Sequence, residues 1–130
     1  MSTKFFKLLL IFLFGSFFTF GQAYSSDFLL SEEQLKGLEI AQKHCSRCHV
    51  VSKNNRYGGI ESTPSFFGLR NMKDWEERFK EFFVRPPHPS FVNIKEVTEE
   101  RSDKLPAFIT EINLTLEQVD EILSYVSIID

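Results

Sequence analysis

The segment Cys45-Ser46-Arg47-Cys48-His49 constrains this chain more than any other. Two thiols three positions apart stand on one turn of backbone, where each can add to a vinyl group of the same porphyrin. The residue that follows sets an imidazole under the iron. Cys-x-x-Cys-His is accordingly the attachment pattern for c-type haem. Haem iron takes an axial His readily, and the ligand set tunes its potential. Cys45 and Cys48 are the only cysteines, so none is left for a disulfide framework. Other chemistries also use thiols at this spacing. A redox disulfide of the thioredoxin kind wants a βαβ context, and the sequence offers no strand pattern for one. A structural zinc wants four ligands, usually as two spaced pairs. The only other imidazoles are His44, beside Cys45, and the distant His88. A pair of bare thiols would be oxidised in an exporting compartment.

Export itself is written at the N-terminus. Lys4 and Lys7 form a basic start, Leu8 to Phe20 is an almost unbroken apolar run, and Gly21-Gln22-Ala23 supplies small residues. This predicts a signal peptide over residues 1–23, cleaved after Ala23 or nearby. The apolar run falls short of the about 20 residues that a comfortable membrane span needs; an uncleaved anchor is the alternative. No Cys stands near the cleavage site to carry a lipid. Covalent haem attachment in bacteria is finished outside the cytoplasm, so the motif and the signal agree on a periplasmic location.

What remains divides into a short lead, 24–30, and one small domain, 31–130. The whole chain carries 15 basic and 18 acidic side chains, net −3; losing Lys4 and Lys7 with the signal moves that to −5. Such a balance argues against nucleic acid and against anionic membrane surfaces as partners. The charge is uneven, however. Lys43, Arg47, Lys53 and Arg56 surround the cysteine motif, whereas Glu117, Asp120, Glu121 and Asp130 lie near the C-terminus. A basic collar of this kind could steer an acidic redox partner, and it is equally what an ordinary solvated surface looks like.

Helical signals dominate. Ser31-Glu32-Glu33-Gln34 is a capping box, followed by Leu35, Leu38 and Ala41 at helical spacing as far as Cys45. The stretch from Val50 to Pro64, with Asn54, Asn55, Gly58 and Gly59, reads as an irregular loop. Asp74 to Val84 predicts a second helix with Trp75, Phe79, Phe82 and Phe83 as its apolar stripe. It stops at Arg85-Pro86-Pro87-His88-Pro89. Residues 90–113 read as a long connection, with a short helical piece near Glu96 to Ser102. Thr115-Leu116-Glu117-Gln118 is a second capping box, opening a last helix that buries Val119, Ile122, Leu123, Tyr125, Val126 and Ile129. The expected fold is all-α: three main helices and long loops. So small a core is marginal, and an apolar porphyrin filling the centre would complete it.

With these residues in place, the chain from about Glu32 to Ile129 resembles the small single-haem class I cytochrome c family. Cys45, Cys48 and His49 carry most of the likeness. Gly37, eight residues before Cys45, stands where the family has a small residue that lets the first helix cross the last. Ile122-Leu123-Ser124-Tyr125 is similar to the family's aliphatic-x-x-aromatic motif at that crossing. Pro64-Ser65-Phe66-Phe67-Gly68-Leu69 resembles the Pro-x-aliphatic-x-Gly-Leu loop. The resemblance implies that the Pro64 carbonyl accepts a hydrogen bond from the proximal imidazole, as expected around a metal-bound His, and that Phe66 packs on the haem. Trp75 is expected in the core or near a propionate.

One feature of the family is missing. It usually takes a second axial ligand from a Met before the last helix, and beyond the signal this chain has only Met72. Leu105-Pro106 and His88-Pro89-Ser90-Phe91 resemble its Met-Pro sites without the Met. The favoured expectation is an iron position filled by no protein side chain, walled by Leu105 and Phe91. His88 is the candidate sixth ligand with suitable chemistry, and Met72 lies on the proximal side of the chain path.

The resemblance implies an exported carrier of single electrons with one covalent haem c, held by Cys45 and Cys48 and ligated by His49. Such a protein is not an enzyme. It works as a monomer between a donor and an acceptor redox protein. The alternatives are a haem-based sensor or gas binder with an open sixth position, and a relay domain of a larger complex.

Overall fold

The computed structural model describes residues 29–99 and 110–130. The signal segment 1–23, the lead as far as residue 28, and Leu105-Pro106 lie outside the described residues.

Among the described residues there are four α-helices: α1 (Glu32–His44), α2 (Phe66–Arg70), α3 (Trp75–Lys80) and α4 (Leu116–Ser127). Both capping boxes form. Ser31 Oγ accepts from the Gln34 N–H at 3.2 Å while Gln34 Oε1 accepts from the Ser31 N–H at 2.9 Å. Thr115 and Gln118 repeat the exchange at 3.2 and 3.0 Å. Each pair satisfies two of the backbone donors that a helix start leaves without partners.

Helices α1 and α4 cross at Gly37, which is buried against the main chain of Glu121. The core collects under this crossing. Ala41, Val51, Ile94 and Val126 are fully enclosed, with Leu114, Val119, Ile122 and Tyr125 around them. The predicted second helix is shorter than its apolar stripe suggests. It runs α-helical only to Lys80 and tightens into a 3₁₀ turn over Phe82–Val84, which still buries Phe79 and Phe83. Trp75 is half-buried and stacks under the Arg70 guanidinium, 4.2 Å from ring centre to Cζ.

The fold is not all-α. Val92–Ile94 (β1) and Ile112–Leu114 (β2) pair as a two-stranded parallel sheet, Val92 opposite Ile112 and Ile94 opposite Leu114. The molecule is therefore mixed α/β. Three-residue strands give too short an alternation to stand out from a loop, and their partners lie 20 residues apart in the chain. Once paired, the alternation is plain. Ile94 and Leu114 point into the core, and between them the Asn93 amide donates to the Asn113 side-chain oxygen at 3.1 Å on the outer face. Helix α2 is a second departure, lying where the sequence suggests loop. Ser65 starts it, its Oγ accepting from the Gly68 N–H at 3.0 Å.

Candidate functional site

The cysteine motif forms the exit of α1. Cys45 caps the helix, its N–H bonded to the Ala41 carbonyl at 2.8 Å. The Cys45 carbonyl then accepts from both the Cys48 N–H at 3.0 Å and the His49 N–H at 2.8 Å. This single wound turn brings Cys45, Cys48 and His49 to one wall of a cleft. Neither thiol is in a disulfide. Burial, and then the neighbouring Cys48, pushes the Cys45 thiol up to about 12, so it stays protonated and a poor nucleophile in the folded chain. His44 points to the same cleft; burial and Lys43 lower its pKa.

The loop behind the motif is braced by residues that the sequence reading passed over as turn formers. Asn55 Oδ1 accepts from the N–H groups of Val51 and Ser52 at 3.0 and 2.8 Å. Its amide donates to the His49 carbonyl at 3.1 Å. Gly59 adopts φ +83°, and a side chain there would meet the Cys48 carbonyl oxygen at 2.9 Å. Only glycine combines that backbone angle with so close an approach. The signal that could have marked it is an Asn at the head of an Asn-Arg-Tyr-Gly-Gly turn.

On the imidazole itself, His49 Nδ1 lies 2.7 Å from the Pro64 carbonyl oxygen. A carbonyl can only accept, so Nδ1 carries the proton and Nε2 is the nitrogen left to meet a ligand. Phe66 flanks the same ring at 5.6 Å between centroids and meets Phe79 edge-on at 4.9 Å. Across the cleft stands His88. Its ring is 6.0 Å from that of His49, and the two planes lie within 10° of each other. His88 Nδ1 is 3.1 Å from the Arg85 carbonyl, which by the same rule makes that nitrogen the donor. Phe82 meets the His88 ring edge-on at 5.3 Å, and Phe91 lies tilted at 5.8 Å. Burial is the main influence holding the His88 pKa below the usual histidine range, so the ring is neutral at pH 7.

Both imidazoles line one cleft that is partly open to solvent. Its lining includes both cysteines, His49, His88, the aromatic rings of Phe66, Phe79, Phe82 and Phe91, and Val92, Ile112 and Leu114 from the strand pair. Arg78 contributes the cation at its edge. An apolar lining with two thiols on one side and two imidazoles facing each other across it fits a haem in donor chemistry. Met72 is exposed and is not part of the lining. Leu105 lies outside the described residues.

This chain is similar to a cytochrome c. It is 30% identical over 67 residues to cytochrome c-552 of Bradyrhizobium diazoefficiens, a match covering 52% of this chain and 64% of that relative. It therefore spans less than two thirds of the relative it matches. No protein-family model matches the chain, and no solved structure is significantly similar to it. No helix of the described residues is long and apolar enough to cross a membrane.

The charged collar has a local use. Lys53 Nζ lies 3.9 Å from the Asp130 carboxylate, so one member of the basic group faces one member of the acidic group across the surface. Both side chains are largely solvated, and such a pair contributes little to stability.

Proposed function

We propose that the protein is an exported electron-transfer cytochrome carrying one haem c. The haem is tethered through thioethers to Cys45 and Cys48 and ligated by His49 on its proximal side. The observation that carries this reading is the joint placement of the Cys-x-x-Cys-His turn on an apolar cleft and the 2.7 Å contact between His49 Nδ1 and the Pro64 carbonyl. That contact fixes the ring and raises its basicity toward a metal. The similarity to a cytochrome c-552 supports the same conclusion.

Bound there, the group would accept and return one electron at a time. The chain's own task is to hold it in a dry apolar slot with Phe66 against His49, so that little rearranges when the charge changes. Nothing in such a site transforms a substrate, and the protein acts as a carrier rather than an enzyme. Its partners are a donor and an acceptor redox protein, met as a monomer in the periplasm. The acidic balance of the chain beyond the signal disfavours nucleic acid.

The test is chemical. Expressed with its signal in a host that attaches c-type haem, the protein should keep haem through denaturing electrophoresis and acid–acetone extraction. Cys45→Ala with Cys48→Ala should abolish that retention. Covalent haem surviving in the double variant, or absent from the wild type, overturns the assignment.

A further inference from the structure

We infer that His88 is the second axial ligand, so that His49 and His88 close on one iron from opposite faces. The inference rests on the haem reading above and deepens it. Four observations converge. The ring centroids are 6.0 Å apart with planes 10° from parallel. Two imidazoles bound to opposite sides of one metal ion, at about 2 Å from each nitrogen, hold their centroids about 6 Å apart. A face-to-face contact would bring the centroids to about 3.5–4 Å, so the spacing is compatible with a metal ion between the rings. Second, each ring commits Nδ1 to a backbone carbonyl, His49 to Pro64 and His88 to Arg85. In each ring Nε2 is thus the nitrogen left to face a metal, the arrangement in which ligating histidines are held.

Third, both rings line the same cleft as Cys45 and Cys48. Fourth, His88 is not a free loop residue: Phe82 and Phe91 hold its ring from two sides. The rival thioether, Met72, is exposed and does not line the cleft. An iron with both axial positions taken by imidazole has no vacancy for a gas, which makes the site a closed electron carrier and not a sensor. Nitrogen in place of a thioether also sets its potential below that of His/Met relatives, since Met ligation raises it.

The experiment uses the haem-loaded protein. The ferric form should be fully low-spin without the far-red iron–sulfur band, and the ferrous form should fail to take up carbon monoxide on mixing. His88→Ala should convert the population to high-spin and let carbon monoxide bind at once, and added imidazole should restore the low-spin spectrum. His88→Met should stay low-spin, gain the iron–sulfur band and shift to a higher potential. A high-spin wild type, immediate carbon monoxide binding by the wild type, or a His88→Ala spectrum unchanged from wild type each overturns the inference while leaving the covalent haem intact. If His88→Ala does not accumulate, near-infrared magnetic circular dichroism of the wild type decides alone: a bis-imidazole charge-transfer band supports the inference, any other axial pair rejects it. Failure of the haem reading is seen separately, as a protein with no covalently retained haem.

Discussion

Gly37 and Glu121 meet backbone to backbone. Where α1 crosses α4, a Cβ at position 37 would collide with the carbonyl group of Glu121 and come within 3.0 Å of the Tyr125 Cβ. Neither obstacle is the flexible end of a side chain, so the helices themselves would have to separate. Overpacking of this kind costs about 1–3 kcal/mol and sometimes more. Gly37→Ala is expected at the upper end, even though alanine is the better helix former by about 1 kcal/mol. Urea unfolding followed by circular dichroism measures it; a variant as stable as the parent would show that the helices do not approach this closely.

Tyr125 ties the same helix to the loop behind the motif. Its hydroxyl donates to the Val51 carbonyl at 2.8 Å, and Val51 is fully enclosed. Tyr125→Phe leaves that carbonyl unpaired and should cost about 1–2 kcal/mol. Burial also raises the phenol pKa in the folded state, above the about 10 of an unfolded chain. The raised folded value means that this stabilisation is whole below pH about 10 and is lost as pH climbs through the folded pKa. The parent should therefore lose stability more steeply than Tyr125→Phe in alkali. Parallel slopes for the two proteins would count against a buried, neutral Tyr125.

Asn55 is expected to matter more than a loop asparagine ordinarily does. It accepts two backbone bonds and donates a third to the His49 carbonyl. Three bonds at about 0.5–1.5 kcal/mol each put Asn55→Ala at about 2–3 kcal/mol. Asn55→Asp keeps both acceptor contacts and loses the donor, so its cost should fall between the two. Thermal unfolding of the three proteins orders them; an alanine variant equal to aspartate would refute the split.

Thr115 gives a smaller and cleaner effect. Removing its Oγ1 in Thr115→Ala unpairs the Gln118 N–H at the start of α4 and should cost about 1 kcal/mol. Thr115→Ser should restore most of it. Chemical denaturation of the pair suffices, and equal losses for Ala and Ser would mean that the cap is not the cause.

The helical frame was largely legible because its signals are local. A capping box, an apolar stripe and a stop at Pro86-Pro87 each lie within a few residues of what they specify, and α1 and α4 follow from them. Helix α2 escaped because its five residues include a glycine and follow a loop-like Pro-Ser pair. The strand pair escaped for a different reason. Val-Asn-Ile and Ile-Asn-Leu are too short to announce themselves, and only their meeting across the chain makes them strands. At the site, Cys45, Cys48 and His49 are adjacent in sequence and could be read at sight. The facing of His88 and His49 depends on the path of some 40 intervening residues and could not.

That strand pair has a bearing on how such a chain can change over generations. β1 and β2 fasten the two ends of the segment running from 95 to 111, with Ile94 and Leu114 anchored in the core beside the cleft. The fastening holds whatever length of chain departs from one strand and returns to the other. Doubling a loop adds only about 0.6 kcal/mol of closure cost. A change in the length of chain between the strands therefore costs little at the clasp itself, where Ile94 and Leu114 stay seated in the core. The clasp thus separates the length of that connection from the packing of its two ends.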